Sequence, residues 1–480
     1  MKGPAEMGRR AGHWGRERGL WVLLAALVLA YGLVSVRAIP LWDGAFYYAY
    51  LRSAIVDGDW DFGNDIRLIG ERSGDPLFGT LGMDQARTPT DRVRNAFPIG
   101  SALLWAPLYA PLHAGLALAA PAQANGLTFP YVWLLSGMGA GLALLGMVLT
   151  YRACRRRFSP YAAALGTIVA WLASPLLQYA FREPAYSHVG SAFVISAVLW
   201  VWWRDEGRWT PARALGMGAL IGMAGLVRPQ NVLYLLLPAG DVAREWWTSL
   251  ERGRRGRAIL SLALLALAAL IVFSPQMAAW QLLYGSPLSV PQDLDFQEMK
   301  GHGFIQWLSP ALGKTLFSSF HGLFTWQPAA LLGLLGLALL WRRDCWRVSL
   351  ILAGVALQIY LVASAGDWFG GGGFGPRRLD SLTPFLALGL AALVDAGRRR
   401  GWRLAAGLVG ALFVAANWSL MMVGWPAGIG GRTGLALVVH ETGLSRFYAD
   451  WLSYAGLALR QPWRLVADDA PLYRLWLGVR

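Results

Sequence analysis

An all-α integral membrane protein is the fold class this sequence predicts, and three observations carry the prediction. Of the 480 residues, 56% are hydrophobic and only 15% charged, where soluble domains carry roughly 25% charged residues. The apolar residues fall into repeated blocks that approach the roughly 20 residues needed to cross about 30 Å of hydrocarbon. Short arginine-rich segments alternate with acidic and aromatic ones between those blocks, the pattern that loops on opposite sides of a bilayer produce.

Taken in order, the blocks predict about 11 transmembrane helices, near residues 20–39, 129–151, 160–181, 187–203, 212–227, 229–243, 258–276, 328–341, 348–365, 382–396 and 403–423. The first apolar run, Leu20 to Val36, has no small-residue cleavage site before Asp43 and reads as a retained span rather than a signal peptide. With residues 1–19 cytoplasmic, the segments "RACRRRF", "RDEGRWTPAR", "REWWTSLERGRRGR", "WRRDCWR" and "GRRRGWR" are cytoplasmic as well. The entire net charge of +15 then lies inside and the outer face is neutral. Charge of this kind records topology and argues against nucleic acid as a partner.

The stretch "FPIGSALLWAPLYAPLHAGLALAAP", residues 97–121, is apolar enough to span, but its four prolines and broken pattern suit a helix lying in the interface. Residues 40–128 are therefore expected to form one long external loop with interfacial helices, inside a catalytic module of residues 20–276. An external loop at 277–327 follows. Next come C-terminal spans at 328–423, with a glycine- and arginine-rich external loop at 366–381, and an external tail at 424–480. Cys154 and Cys345 both fall in cytoplasmic loops, where thiols stay reduced, so no disulfide and no cysteine metal site is expected.

Inside the spans ionisable residues are scarce, and Asn417 is the most evident interior polar group. Ion-coupled transporters usually need intramembrane carboxylates or histidines, which weighs against that class. The polar residues collect at the outer ends of the spans instead: Asp43, "REPAYSH", "VRPQN", "VPQDLDFQEMKGHG" and "GDWFGGGGFGPRRLD". Five separated segments on one membrane face are the arrangement of a site at the lipid–water boundary.

Asp43 stands within about a turn of the end of the first span, where a carboxylate can accept a hydroxyl proton from an incoming acceptor. Neighbouring Trp42, Phe46 and Tyr47 would raise its basicity by partial burial. The plain alternative is a helix N-cap before "GAFYYAYLRSAI". Glu183 is a candidate second acid. His188 is a candidate ligand for a phosphate or hydroxyl, with a packing histidine as its alternative. Arg228, between two short apolar half-spans, needs an anionic partner, and a lipid phosphate fits a guanidinium fork. The glycine run before Arg377 and Arg378 allows close backbone approach to a phosphate held by the twin arginines. It lacks the lysine and strand context of a P-loop. In "VDGDWDFGNDI", Asp57, Asp59, Asp61 and Asp65 lack EF-hand spacing and read as turn formers and caps. Trp42, Tyr47, Trp307 and Trp368 are candidate platforms for sugar rings, against the ordinary aromatic belt.

In their order and spacing these segments resemble the GT-C superfamily of polyprenyl-phosphate-sugar-dependent glycosyltransferases, near the protein O-mannosyltransferases and the lipid A aminoarabinose transferases. "WDGAFYYAYLRSAIVDGDWDF", "NAFPIGSALLWAPLYAPLHAG", "REPAYSH", "GALIGMAGLVRPQNVLYLLLP" and "GGGGFGPRRLDSLTPFLALGLAAL" carry the resemblance, over roughly residues 20–400. It implies a catalytic acid at Asp43 and an inverting transfer with no cofactor beyond the lipid-linked sugar donor. It also implies no metal at the site, although some relatives use a divalent ion. Many members show two adjacent acids, whereas here Gly44 follows Asp43, and Glu183 is the candidate replacement. The implied partners are a polyprenyl-phosphate sugar, membrane lipid and an envelope glycan, lipid or protein acceptor, at the outer face of a bacterial cytoplasmic membrane. A glycan polymerase or ligase, with its essential groups in the loop at 277–327 that holds His302 and His321, remains open, as does a lipid or glycan transporter.

Overall fold

The computed structural model describes residues 40–73, 87–204, 209–249, 251–371, 373–397 and 399–423, with isolated positions within 21–28 and at 448–449. The expected first span and the tail at 424–480 thus lie almost entirely outside the described residues. Among the described residues the chain is all-α, with isolated bridges as the only β pairing. Six helices are long and apolar enough to cross a membrane, and Pro160–Leu172, Pro211–Val227 and Ala329–Trp341 are shorter apolar ones. The protein is a multi-pass membrane protein.

Two short helices come first, α1 (Asp43–Arg52) and α2 (Phe62–Ser73), followed by α3 (Gly100–Ala119). The bundle begins with α4 (Phe129–Cys154), α5 (Pro160–Leu172), α6 (Leu176–Phe181), α7 (Ser187–Arg204) and α8 (Pro211–Val227). It continues through α9 (Leu236–Thr248) and α10 (Arg252–Tyr284). The short helices α11 (Pro291–Lys300), α12 (Leu312–Phe317) and α13 (Leu323–Trp326) precede α14 (Ala329–Trp341), α15 (Cys345–Ser364), α16 (Thr383–Ala396) and α17 (Arg400–Val423).

The arginine-rich connectors gather on one face. Arg156 donates to the carbonyl of Arg204 at 2.8 Å, Arg157 pairs with Asp344, and the Ser159 amide donates to Asp395. Helices that start on this face open with Ser159-Pro160, Thr210-Pro211 and Asp344, whose side-chain oxygens accept from amides in the first turn, an N-capping arrangement with proline where its missing N–H costs nothing. All the candidate site residues lie at the opposite face.

Close packing within the bundle follows from small residues. A Cβ on Gly336 of α14 would lie 1.8 Å from the carbonyl oxygen of Gly389 on α16, so these two parallel helices touch backbone to backbone. The largest core cluster lies between α5, α7, α8 and α14–α16. A second core, built on Tyr48, Tyr50, Phe62, Trp105, Tyr109 and Tyr131, packs α1–α3 onto the start of α4.

Two expected spans are each broken. The block at 160–181 divides into α5 and α6 around Ser174-Pro175, because proline removes a ladder hydrogen bond. The carbonyls of Leu172 and Ser174 are satisfied by Asn417 Nδ2, 2.9 Å from each, which explains the interior polar residue of α17. The block at 229–243 is likewise a 3-10 turn, Pro229–Leu235, running into α9. Residues 97–121 are smoother than expected: Pro107 and Pro111 lie inside one unbroken helix α3. Its first turn packs on Leu226 at the end of α8 and Leu104 on Gly190 near the start of α7. Its middle, Tyr109 and His113, packs on Tyr131 in the first turn of α4. Every one of these neighbours sits at the same end of the bundle, so α3 runs along that face instead of through it.

Candidate active site

A cavity of about 430 Å³ opens on the face opposite the arginine-rich connectors. Asp43, Tyr47, His188, Arg228, Arg377 and Arg378, drawn from four separated segments, all line it. Glu183 is absent from the lining. Among the lining residues Asp43 is the single carboxylate, against three arginines. One wall is apolar, formed by Val232 and Leu233 after α8, Leu357 and Leu361 on α15, and Phe304 and Ile305 before α12. Trp307 and Tyr360 stand at this wall with centroids 6.5 Å apart, and the Tyr360 hydroxyl donates to the Trp307 carbonyl. Trp42 and Trp368 do not line the cavity.

Asp43 is the first residue of α1, preceded by Trp42 at φ 52. Its carboxylate accepts from Arg377 Nη1 at 2.6 Å. Asp43 is thus ion-paired, because the glycine loop brings Arg377 across to the start of α1. Arg377 itself sits in a backbone cradle: Nε donates to the Gly370 carbonyl at 2.6 Å, and its guanidinium lies 5.6 Å from the Tyr186 ring centroid. A Cβ on Gly373 would fall 2.5 Å from Nε, so this glycine is required by close approach.

Arg228 does not wait for a lipid phosphate as its only anion. Its Nη1 donates to Asp380 Oδ2 at 2.9 Å, and the Asp380 carboxylate also meets His188 Nδ1 at 2.7 Å and accepts from Ser191 Oγ at 2.9 Å. His188 lies against Tyr179, with ring centroids 4.1 Å apart. Asp380 is the residue sequence reasoning missed. Its signal was an acid at the head of an apolar block, three residues after Arg377, where an ionisable group needs a partner. Arg378 is similarly paired with Asp367, and its carbonyl accepts from Gln230 Nε2 at 2.7 Å while Gln358 donates to the Gln230 carbonyl. Each arginine of the cavity therefore carries its own aspartate.

Tyr47, buried on α1, accepts from Ser187 Oγ at 2.8 Å. Burial raises its phenol above the usual range, with Arg228 opposing. Glu183 lies outside the lining, with its charge near Arg377, Tyr179 and Tyr186. His321 lies near the site but outside the cavity lining. Its Nδ1 donates to the Phe369 carbonyl, 2.7 Å away, beside the glycine loop. Burial lowers it to about 4, so the ring is neutral at physiological pH. Of the acids at 57–65, Asp59 and Asp61 accept from nearby amides as turn formers do. Asp65 corrects that expectation: it is buried and paired with Arg52 at 2.6 Å.

No protein-family model matches the chain, and no curated protein matches it either. Among solved structures it is similar to ArnT from Cupriavidus metallidurans bound to undecaprenyl phosphate, with 18% identity and a TM-score of 0.49 over 95% of this chain and 75% of that one. It is also similar to the archaeal oligosaccharyltransferase AglB from Archaeoglobus fulgidus in complex with an inhibitory peptide and a dolichol-phosphate, with 13% identity and a TM-score of 0.47. That alignment covers 90% of this chain and 59% of AglB. The apo form of an oligosaccharyltransferase from the same archaeon matches with a TM-score of 0.46 at 12% identity.

Proposed function

We propose that the protein is a membrane glycosyltransferase that moves one sugar from a polyprenyl-phosphate carrier to an acceptor hydroxyl at the outer face of a bacterial cytoplasmic membrane. The observation that carries this reading is a single cavity with one carboxylate, three arginines and one apolar wall. An anionic headgroup suits the arginines, a prenyl chain suits the wall, and the carboxylate suits a hydroxyl nucleophile. The acceptor oxygen bonds to the anomeric carbon from the face opposite the phosphate, and the anomeric carbon–oxygen bond breaks. The electron pair leaves on the phosphate, and the acceptor proton passes to Asp43. Arg377, Arg378 and Arg228 stabilise charge developing on the departing phosphate. Glu183 tunes Arg377 through space, and His188 with Tyr47 orients the sugar or acceptor. We propose no metal for this transfer; pairing of each cavity arginine with an aspartate supports a site organised around guanidinium.

The polymerase or ligase reading would draw its chemistry from the loop at 277–327. That loop gives the cavity Val290, Gln292, Phe304, Ile305 and Trp307, but neither His302 nor His321, which favours the monosaccharide reading. The test uses purified protein in detergent, a panel of labelled polyprenyl-phosphate sugars and crude envelope lipids, with release of polyprenyl phosphate followed over time. Wild type is expected to consume one donor, and Asp43→Asn to bind that donor without turnover. Turnover that survives in Asp43→Asn would remove Asp43 as the base. Consumption of no monosaccharide donor by wild type would remove the transferase reading.

A further inference from the structure

We infer that Asp43 and the phosphate of the lipid carrier compete for the same guanidinium edge of Arg377, so that the base of the transfer is released only once the donor is in place. This deepens the glycosyltransferase reading and rests on it. Arg377 Nε is committed to the Gly370 carbonyl, and Nη1 is committed to Asp43. A phosphate takes a guanidinium best through two parallel N–H bonds. With Nε held by the loop, the pair available for such a grip is Nη1 with Nη2, and one N–H of Nη1 is already given to Asp43.

The three ion pairs of the cavity are not equally fixed. Asp380 is held by Arg228, His188 and Ser191 together, and its side chain is 1% exposed. Asp367 takes no part in the lining. Asp43 lines the cavity, has a side chain 26% exposed, and among the described residues has Arg377 as its one hydrogen-bond partner. It is thus the carboxylate an incoming anion can displace, while Arg377 keeps its seat on Gly370. A displaced Asp43 remains at the start of α1, beside the space the acceptor must enter, and its oxygen is then free to receive the hydroxyl proton. The order of events follows: the donor binds first, and the acceptor meets an available base only afterwards.

The experiment measures binding of farnesyl phosphate, a short carrier mimic, to detergent-solubilised full-length protein by titration calorimetry at low ionic strength, where charge competition is least screened. Asp43→Asn should bind it roughly tenfold more tightly than wild type, because no ion pair has to break. Asp43→Ala serves as the second variant should Asn disturb folding, with the thermal midpoint checked for both. Equal or weaker binding in these variants overturns the competition while leaving the carrier reading standing. Glu183→Gln, which removes a charge near Arg377 from outside the cavity lining, should tighten binding by much less. Equal tightening in Glu183→Gln and Asp43→Asn would assign the effect to the general field and overturn the competition as well. Absence of farnesyl phosphate binding in every form would overturn the carrier reading itself.

Discussion

Arg52 with Asp65 and Arg377 with Asp43 are the same chemical pair on the same face of the molecule, each with a nitrogen 2.6 Å from an oxygen. Their surroundings differ. Asp65 has no exposed side-chain surface, whereas Asp43 keeps 26% of its own. Arg52 spends its guanidinium on structure: Nη1 meets both Asp57 and Asp65, and Nε donates to the Asn125 carbonyl at 3.0 Å. It ties α1, α2 and the connector before α4 into one unit. Arg377, by contrast, lines the cavity. An ion pair with space beside it can exchange partners, and one without it can only hold.

The largest expected effect breaks the clamp. Arg52→Ala leaves Asp65 buried without its counter-charge, and removing one partner of a buried pair costs about 3–5 kcal/mol. Its thermal midpoint should fall sharply, and turnover should fall in proportion to the folded fraction. Arg377→Ala should do the reverse, keeping the midpoint and losing turnover. An Arg52→Ala protein as stable as wild type would erase the distinction between the two pairs.

A smaller effect reads the clamp through pH. Burial raises Asp65 to about 7, against the pull of Arg52, with Asp57 and Asp59 adding to the rise. Between the unfolded carboxylate value near 4 and that folded value, the folded state binds the extra proton, so stability declines as pH rises through the window. The thermal midpoint of wild type should be higher at pH 5.5 than at pH 8. Asp65→Asn should remove this part of the slope, and an unchanged slope would show that Asp65 is ionised throughout.

Much of this architecture was legible because it depends on composition and order. Apolar blocks, arginine-rich connectors and polar outer ends assign Asp43, Tyr47, His188, Arg228, Arg377 and Arg378 to one face, and all six line one cavity. What stayed hidden depends on pairing over long separations. Asp43 meets Arg377 across 334 positions, and Arg228 meets Asp380 across 152; no local period records either. Asp380 does not stand out in sequence because an acid at a helix start is equally a capping residue. Asp65 reads as a turn former because its neighbours are turn formers, and burial with the pairing to Arg52 separates it from Asp59 and Asp61. Glu183 had the right residue type and the right end of the bundle, yet its side chain stays outside the cavity lining.

A third effect sharpens the seat of Arg377. Gly373→Ala would place a methyl 2.5 Å from Nε and 2.7 Å from Cδ of Arg377, so the guanidinium must leave either Gly370 or Asp43. Turnover is expected to drop about tenfold, the equivalent of 1.4 kcal/mol, with the thermal midpoint held. Wild-type turnover would mean that the cradle does not set the position of Arg377.

The smallest effect lies on the opposite face, where arginines rest on tryptophans: the Arg204 guanidinium carbon lies 4.3 Å from the Trp200 ring centroid, and that of Arg213 lies 4.2 Å from Trp209. Arg204 is exposed and Arg213 half-buried, each laying its guanidinium on an aromatic ring. Arg377 has an aromatic neighbour too, Tyr186, but its hydrogen bonds are spent on a carbonyl and a carboxylate. Replacing Arg204 by lysine keeps the charge and most of the stem, so the thermal midpoint and turnover should both match wild type. The same replacement at Arg377 loses the two-point hold on Gly370 and Asp43, and turnover should fall with charge conserved. If Arg377→Lys proved as silent as Arg204→Lys, positive charge alone would suffice at the cavity, and the geometry of the guanidinium would have no part in the reaction.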